Sequence, residues 1–337
     1  MLRELSKASL YAVLLSVLLP ALAAAQSETV NDVYKKALKE GGTLNYYSSL
    51  AQINAQKILP QFEKRFPGIK VNHIDATADK LAARAIAESR GGRVIADIFQ
   101  FQLENILQVQ DQNLLSGKLP PEAAAYPNNM KGAQWLASDL QFIIAAWNTN
   151  LVKKDEEPKS FDDFADPKWK GRLIGEPRDA ELLVALTEKH KSQEKAAAIL
   201  KKMAENDVEF HNGHSDLAEL LVAGQAAACI TCYANHYPPR IKKGAPVNYL
   251  LSEGIATIVA TAVVKGAPHP NTAWLWARWV ASEEGQKAYA LGGRAPAHPK
   301  VEPVEKVRPK VIYAVGADSL KDFKKYEKVW KETFQLR

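Results

Sequence analysis

The sequence contains very little cysteine: only two of its 337 residues, Cys229 and Cys232, in the segment CITC. So low a count excludes a framework of several disulfides and a zinc site made of four cysteines. The pair lies within the apolar run AAACITCY, which is typical of a buried strand. Because residues three apart on a regular strand point to opposite faces of the sheet, we expect structural thiols rather than a disulfide, a redox pair or a metal site.

Motifs that carry enzyme chemistry are also missing. The sequence contains no P-loop, no glycine-rich dinucleotide motif, no HExxH and no GxSxG. Its net charge of +6 is spread along the chain instead of forming a basic block, so nucleic acid is not an expected partner. We therefore predict a binding protein, not an enzyme, and one that needs no cofactor.

An apolar segment follows two positive charges near the N-terminus. Arg3 and Lys7 precede the run from Leu10 to Leu22, and three alanines then lead to Gln26. This is the pattern of a cleavable secretory signal, and the run is too short to favour a membrane anchor. The sequence thus predicts a signal peptide over residues 1–25 and export to the periplasm.

The next part of the chain alternates strand and helix patterns. Apolar runs of the β type at 43–47, 70–74 and 95–99 are separated by helical runs at 53–66 and 80–89. Strands and helices that alternate in this way favour a parallel sheet with helices on both of its faces.

Two lobes are expected from the length of the chain and from two long apolar runs. A chain of 337 residues exceeds what one hydrophobic core usually holds. The runs at 135–147 and 255–264 are long enough to cross from one globular body to another and back. We therefore predict an α/β protein with two lobes, each a mixed sheet flanked by helices, joined by crossover strands. The first lobe would comprise residues 26–136 and 256–337, and the second residues 137–255.

Ligand contacts in the first lobe are predicted at the carboxyl ends of its strands, where helix N-termini direct amide groups outward. This rule selects Ser48, Ser49, Asp75, Thr77, Phe101 and Gln102. Helix capping is the alternative role for the two serines, and also for Asp75 and Thr77.

The second lobe contributes a further set of candidates, namely Arg178, Tyr233, Asn235, His236 and Tyr237. Arg178 carries a planar fork of donors that fits a carboxylate or phosphate, and a solvated surface arginine is its alternative role. His236 would donate to an anion or bind a metal, or else lie half-buried in a turn. A ligand bound between two closing lobes would contact both sets.

Several longer motifs resemble those of one protein family. They are Trp147-Asn148-Thr149, the segment PKSFDDFADPKWKG at 158–171, KGAPV at 243–247 with Glu253-Gly254 after it, and KGAPHPN at 265–271 with SEEGQ at 282–286. Together they resemble the solute-binding proteins of bacterial ABC importers, with the type 2 periplasmic binding fold. The most similar branch is the one that binds ferric ion and small anions, and the resemblance covers nearly all of the chain after the signal.

This resemblance implies a function and partners. A protein of this kind captures a small-molecule ligand between its lobes and delivers it to an ABC permease in the inner membrane, acting as a monomer. A co-receptor that presents its ligand to a membrane sensor is the alternative, and it has the same sequence features.

The family motif of the ferric-ion binders is only partly present. Their N-Y-Y-x-x-R motif supplies two phenolate ligands, whereas the segment at 235–240 keeps Tyr237 and has His236 in place of the first tyrosine. Their histidine and acidic ligands fall near Ala51 and Gln102. Because a hard trivalent ion requires anionic oxygen ligands, we predict a small organic or phosphorylated anion as the ligand. Ferric iron held by Tyr237 and His236 is the alternative.

Overall fold

The computed structural model describes residues 28–336, so the predicted signal peptide at 1–25 lies outside the described residues. The first part of the described chain alternates helices and strands, as the sequence pattern predicts. Its elements are α1 (Val30–Lys39), β1 (Thr43–Ser48), α2 (Gln52–Arg65), β2 (Lys70–Asp75), α3 (Ala78–Arg90), β3 (Ile98–Gln102) and α4 (Leu103–Asp111). The side chain of Thr29 caps α1 by accepting from the backbone N–H of Asp32 at 3.2 Å.

The chain then crosses into the second lobe and returns. The outgoing strand is β4 (Leu136–Asn148) and the returning strand is β9 (Glu253–Val263). Between them lie β5 (Leu173–Gly175), α5 (Glu181–His190), α6 (Gln193–Ala204), β6 (Glu209–Phe210), α7 (His214–Val222), β7 (Ala228–Tyr233), α8 (Tyr237–Lys242) and β8 (Val247–Tyr249).

The remaining elements follow the returning strand. They are α9 (Pro270–Ala281), α10 (Glu283–Leu291), β10 (Ala295–Pro296), β11 (Val311–Val315), α11 (Ala317–Lys321) and α12 (Phe323–Phe334). Within residues 28–336, none of these helices has the combination of length and apolar character that crossing a membrane requires.

The strands pair in the order β2-β1-β3-β9-β4-β7-β5-β6. β1 is parallel to β2 and β3, whereas β9 is antiparallel to both β3 and β4. This mixed arrangement of two α/β lobes joined by crossover strands confirms the predicted fold class. The hydrogen bonding is continuous where two separate sheets were expected, because β4 and β9 pair with each other as they cross between the lobes.

The crossover strands run through the middle of the molecule. Twelve of the 13 residues of β4 are buried, although Ser138 and Asp139 are polar. Ser138 Oγ donates to the carbonyl oxygen of Val259 on β9 at 3.0 Å. Asp139 accepts a 2.6 Å hydrogen bond from Arg294 Nε, so the buried carboxylate has a charged partner. Pairing of this kind offsets the large cost of removing a charge from water.

Apolar clusters hold each lobe together. In the first lobe, Trp276 of α9 packs against Tyr46 and Phe62, with ring centroids 4.7 and 5.0 Å apart. In the second lobe, the cluster includes Phe161 and Trp169, both fully buried. A third cluster extends across both lobes along the crossover strands.

The C-terminal segment packs on the second lobe. β11 lies parallel to the start of β9, and Trp330 of α12 packs its ring against Phe210 at 5.9 Å. The Trp330 indole N–H also donates to the carbonyl oxygen of Pro177 at 2.8 Å. β11 and the Trp330 end of α12 therefore lie against the second lobe, although residues 256–337 were predicted to belong to the first. The apolar face of α12 gave no indication of which lobe it would cover.

Cys229 and Cys232 form a disulfide with a Cα–Cα distance of 6.2 Å, so the expectation of two thiols was wrong. The reason is an irregularity in the pairing of β7 with β4. Cys232 pairs with Ile144 and Cys229 pairs with Ala146, so three steps along β7 match two along β4. The extra residue is a β-bulge, and it places both cysteine side chains on the same face of the sheet.

The contact between α9 and α10 leads to a test of the packing. A Cβ added at Gly285 would lie 2.0 Å from the backbone carbonyl oxygen of Trp279. Because backbone atoms cannot easily move aside, we expect Gly285→Ala to lower the free energy of unfolding by about 3 kcal/mol. Gly117→Ala is the control, since a Cβ there meets nothing within 4 Å. Denaturant unfolding measures both variants, and equal stability of the two would contradict this packing.

Candidate ligand-binding cleft

The first-lobe wall of the cleft is formed by Ser49 and Gln102, at the ends of β1 and β3. Ser49 Oγ donates to Gln102 Oε1 at 3.2 Å, and the Ser49 backbone N–H donates to the carbonyl oxygen of Gln100 at 3.0 Å. Ser48 is fully buried, and its Oγ accepts from the backbone N–H of Leu50 at 2.9 Å. Ser48 therefore shapes the turn, whereas Ser49 and Gln102 present polar groups at the surface.

The other candidates of the first lobe have separate surroundings. Asp75 and Thr77 are exposed at the end of β2 and the start of α3. The Thr77 side chain makes no capping hydrogen bond to α3, but its hydrogen bond to Asp79 lowers the pKa of that carboxyl. Phe101 is fully buried and stacks on Phe99 with centroids 5.3 Å apart. Phe101 is thus a core residue and not the predicted apolar wall of a cleft.

The second lobe presents a charged loop directly after β5. The buried carboxylate of Glu176 accepts from both Nε and the backbone N–H of Arg178, each at 2.7 Å. This hydrogen bond, together with the charge of Glu176, raises the pKa of Arg178. The Arg178 side chain is exposed, but its guanidinium is already paired within its own loop. It is therefore not the free donor for an external anion that the sequence predicted.

Asp179 and His214 form a second pair in this lobe, at the starts of α5 and α7. His214 Nε2 lies 2.9 Å from Asp179 Oδ2, and both side chains are largely buried. Burial raises the pKa of Asp179, while the bonds from His214 and the Thr231 hydroxyl act in the opposite direction. The pair occupies the position that the strand-end rule selects, after β5 and before α5.

Two aromatic contacts continue from this pair. The His214 ring stacks on Tyr233 with centroids 3.5 Å apart and an interplanar angle of 6°. Tyr233 in turn lies nearly parallel to His236, at 6.1 Å and 10°. Burial raises the pKa of the Tyr233 phenol and lowers that of His236, so both groups are neutral near pH 7. The structure thus brings Tyr233 and His236 together, as the sequence predicted for one wall.

Glu181, in the first turn of α5, completes the group. Burial raises its pKa to about 8, and the charges of Asp179 and Glu104 act in the same direction. Glu181 Oε2 is buried without a hydrogen-bond partner. Glu104 belongs to α4 of the first lobe, so the electrostatic environment of Glu181 includes a charge from the other lobe. We refer to Glu176, Asp179, Glu181, His214 and Tyr233 as the second-lobe wall.

Asn235 and Tyr237 differ in their exposure. Asn235 is exposed and lines a shallow groove of about 60 Å³ beside β4, together with Gln141 and Arg294. Tyr237 is fully buried, stacks near Tyr249 at 6.0 Å, and has no hydrogen-bond partner for its phenol. In this conformation Tyr237 lies in the core and presents no oxygen to the cleft.

Most of the second-lobe wall was not identified from the sequence. Tyr233 was selected, but Glu176, Asp179, Glu181 and His214 were not, although each follows a strand or begins a helix. The strand-end rule applied to β5 and β6 would have found them. Among residues 28–336, no three His, Cys, Asp or Glu side chains are arranged to hold a metal ion as they stand. The wall is therefore a collection of oxygen and nitrogen donors, not a completed metal site.

The raised pKa of Glu181 leads to a prediction about stability. Because the pKa of this carboxyl is about 8 in the folded protein, the group is neutral up to about pH 8, whereas in the unfolded chain it ionises near its ordinary pKa of 4.5. Between about pH 5 and pH 8 this carboxyl ionises only in the unfolded chain. The free energy of unfolding therefore falls as the pH rises through this range. We expect Glu181→Gln to increase the free energy of unfolding at pH 8 by about 2 kcal/mol and to change little at pH 5.

Chemical denaturation of chelator-treated protein across this pH range measures the effect. Glu194→Gln on α6 is the matched control, because Glu194 is exposed and should show no pH-dependent difference from wild type. A Glu181→Gln variant that follows the wild-type pH profile would show that this carboxyl is not held neutral.

Known proteins with similar sequences are named for iron. The chain is 26% identical over 289 residues to the major ferric iron-binding protein of Neisseria meningitidis serogroup B, covering 78% of this chain and 85% of that protein. It is 24% identical over 267 residues to iron uptake protein A1 of Synechocystis sp., covering 72% of each.

The fold is also similar to that of solved structures. A Trichodesmium protein determined in complex with iron and citrate ligands superposes with a TM-score of 0.74 at 21% identity, covering 87% of this chain and 99% of that one. The family model described as bacterial extracellular solute-binding protein matches residues 57–314, which is most of the chain. The two-lobed fold and this match agree, and the chain belongs to the bacterial extracellular solute-binding proteins.

Proposed function

We propose that this protein is the periplasmic solute-binding subunit of an ABC importer and that its cargo is ferric iron. The iron would be bound together with a small oxygen-rich anion such as a polycarboxylate, in the cleft between the lobes. A permease in the inner membrane would receive the cargo, and the binding protein would act as a monomer. The predicted signal peptide supports a periplasmic location.

The observation that carries this proposal is the composition of the second-lobe wall. Three carboxyl groups, a phenol and an imidazole lie together there, and these are ligands that suit iron. Arg178, in the same loop as Glu176, is paired with that carboxylate at 2.7 Å. An anion would therefore meet three carboxyl groups and an arginine that already has a carboxylate partner, whereas a cation would meet oxygen donors.

The names of the relatives favour the same cargo. The Neisseria protein is named for ferric iron, and the Trichodesmium structure contains iron and citrate. From the sequence, an organic or phosphorylated anion came first and ferric iron second, because the ligand set of the ferric-ion binders is only partly present at Ala51, Gln102 and His236. Because Arg178 is paired with Glu176, we place ferric iron first and the metal-free anion second.

A co-bound anion accounts for the ligands that this chain lacks. Ala51 and Gln102 stand where the ferric-ion binders carry a histidine and an acidic ligand. Tyr237 is buried, which leaves Tyr233 as the phenol nearest to the carboxyl groups. With few anionic side chains in place, a carboxylate-rich anion would occupy the remaining coordination positions of the ion and neutralise its charge.

Closure of the lobes would give the binding its selectivity. Only a closed state lets the first-lobe wall and the second-lobe wall contact one ligand, so a ligand with contacts to both favours that state. The charge of Glu104 on α4 of the first lobe, which acts on Glu181 of the second lobe, supports this arrangement. Binding and release, not chemical conversion, would then be the whole activity of this subunit.

A metal-free organic anion remains the second candidate. It is favoured by one observation: the described residues 28–336 hold no ready group of three or more His, Cys, Asp or Glu ligands. The exposed amides of Asn235 and Gln102 and the hydroxyl of Ser49 are neutral donors that suit a carboxylate or a phosphate ester.

Titration with ferric citrate, citrate alone and iron-free buffer tests the proposal. We expect ferric citrate to bind and to develop a visible phenolate-to-iron absorption band. Asp179→Asn should weaken binding about tenfold, equivalent to about 1.4 kcal/mol, because it removes an anionic oxygen and the partner of His214. Tyr233→Phe should abolish the absorption band.

Tyr34→Phe is the matched control, since Tyr34 lies on α1 of the first lobe, where its ring packs on Phe66, and the variant should leave both signals unchanged. Equal binding of citrate with and without iron would favour the second candidate. Absence of binding to ferric citrate, in protein that is folded by circular dichroism, would contradict the proposed cargo.

A further inference from the structure

The disulfide lies in the strand that leads into the second-lobe wall. Cys229 and Cys232 are fully buried in β7, and Tyr233 follows immediately. Two residues, Ile230 and Thr231, separate the cysteines. The bulge in the pairing of β7 with β4 falls within this span, so the disulfide closes a short loop around it.

The bulge decides where the enclosed side chains point. Ile230 packs in the apolar cluster of the second lobe, whereas both cysteines pack in the cluster on the other face. In a regular strand, Cys229 and Cys232 would lie on opposite faces, and either one cysteine or Ile230 would leave its cluster. The extra residue allows all three to remain buried where they are.

Thr231 lies within the bulged span, and its side chain faces the loop after β5. Its Oγ1 accepts a 3.1 Å hydrogen bond from the backbone N–H of Glu176, in the loop after β5. The same hydroxyl favours the charged form of Asp179, which binds His214 at 2.9 Å. His214 then stacks on Tyr233 at 3.5 Å. Contacts thus run without interruption from the bulge to the second-lobe wall.

We propose that the Cys229–Cys232 disulfide is a positioning element for ligand binding: it holds the bulge of β7 and thereby directs Thr231 to the loop that carries Glu176 and Asp179. The cysteines themselves touch no ligand. This inference relies on the proposed function only for the choice of ferric citrate as a probe, because the position of the Asp179–His214 pair can be measured without ligand.

The side-chain N–H resonance of His214 reports on that pair. A proton held between His214 and Asp179 exchanges slowly with water and is visible by NMR. We expect Cys229→Ala/Cys232→Ala to lose this resonance. His190, bonded to Asp162 at 2.5 Å elsewhere in the same lobe, is the internal control and should keep its own resonance.

Thr231→Val tests the proposed route of the effect. With the disulfide intact, this variant should also lose the His214 resonance. Combined with the cysteine substitutions, it should add nothing further, because both changes break the same chain of contacts. Affinity for ferric citrate should fall about tenfold in each variant.

A destabilised variant separates positioning from stability. Met203→Ala leaves a cavity beneath α6, outside the chain of contacts that runs from Thr231 to His214. It should lower the unfolding temperature but keep both the His214 resonance and the affinity for ferric citrate. If loss of stability alone explained the cysteine variant, Met203→Ala would lose them as well, and the inference would be wrong.

Other outcomes also decide the question. Retention of the His214 resonance in the folded cysteine variant would overturn the inference, and so would free thiols at both positions in folded wild-type protein. If the cysteine variant does not fold, reduction of the folded wild type followed by the same NMR measurement replaces it. Failure of ferric citrate to bind the wild type would count against the proposed cargo alone.

Discussion

The antiparallel pairing of β4 with β9 is the contact on which the rest of the structure depends. Both strands are buried for nearly their whole length, and each belongs to both lobes. Five strands pair directly with these two. β3 and β10 do so in the first lobe, and β7, β8 and β11 do so in the second. The two cleft walls are therefore positioned relative to each other by one shared ladder of hydrogen bonds.

Much of the fold follows from local patterns in the sequence. The first lobe was predicted because its strands and helices alternate, and each switch from helix to strand is marked by glycine or proline. The crossover strands were visible as long apolar runs. The cysteine pairing and the placement of α12 were not predicted, because both depend on contacts between segments distant in sequence. The bulge can be recognised only from the register of Cys229 and Cys232 against their partners on β4.

The candidate site was harder to predict than the fold. Tyr233 and His236 were selected because they come at and just after the end of β7, and their rings lie 6.1 Å apart. It could not show that Arg178 folds back onto Glu176, because side chains two residues apart in a loop have many arrangements. It also could not show that Tyr237 is buried. A residue type suggests which chemistry is available, but its neighbours determine whether the group is free to perform it.

The return of the C-terminus to the second lobe has a consequence for biogenesis. Trp330 and β11 complete the core of a lobe whose other residues lie between β4 and β9. A chain that emerges from a membrane pore with its N-terminus first would deliver the whole first lobe before the second lobe has its last strand and helix. The second lobe would therefore stay incomplete until translocation is nearly finished. A truncation near the end of the gene would damage the lobe that carries most of the wall, even though the lost residues lie far from it in the sequence.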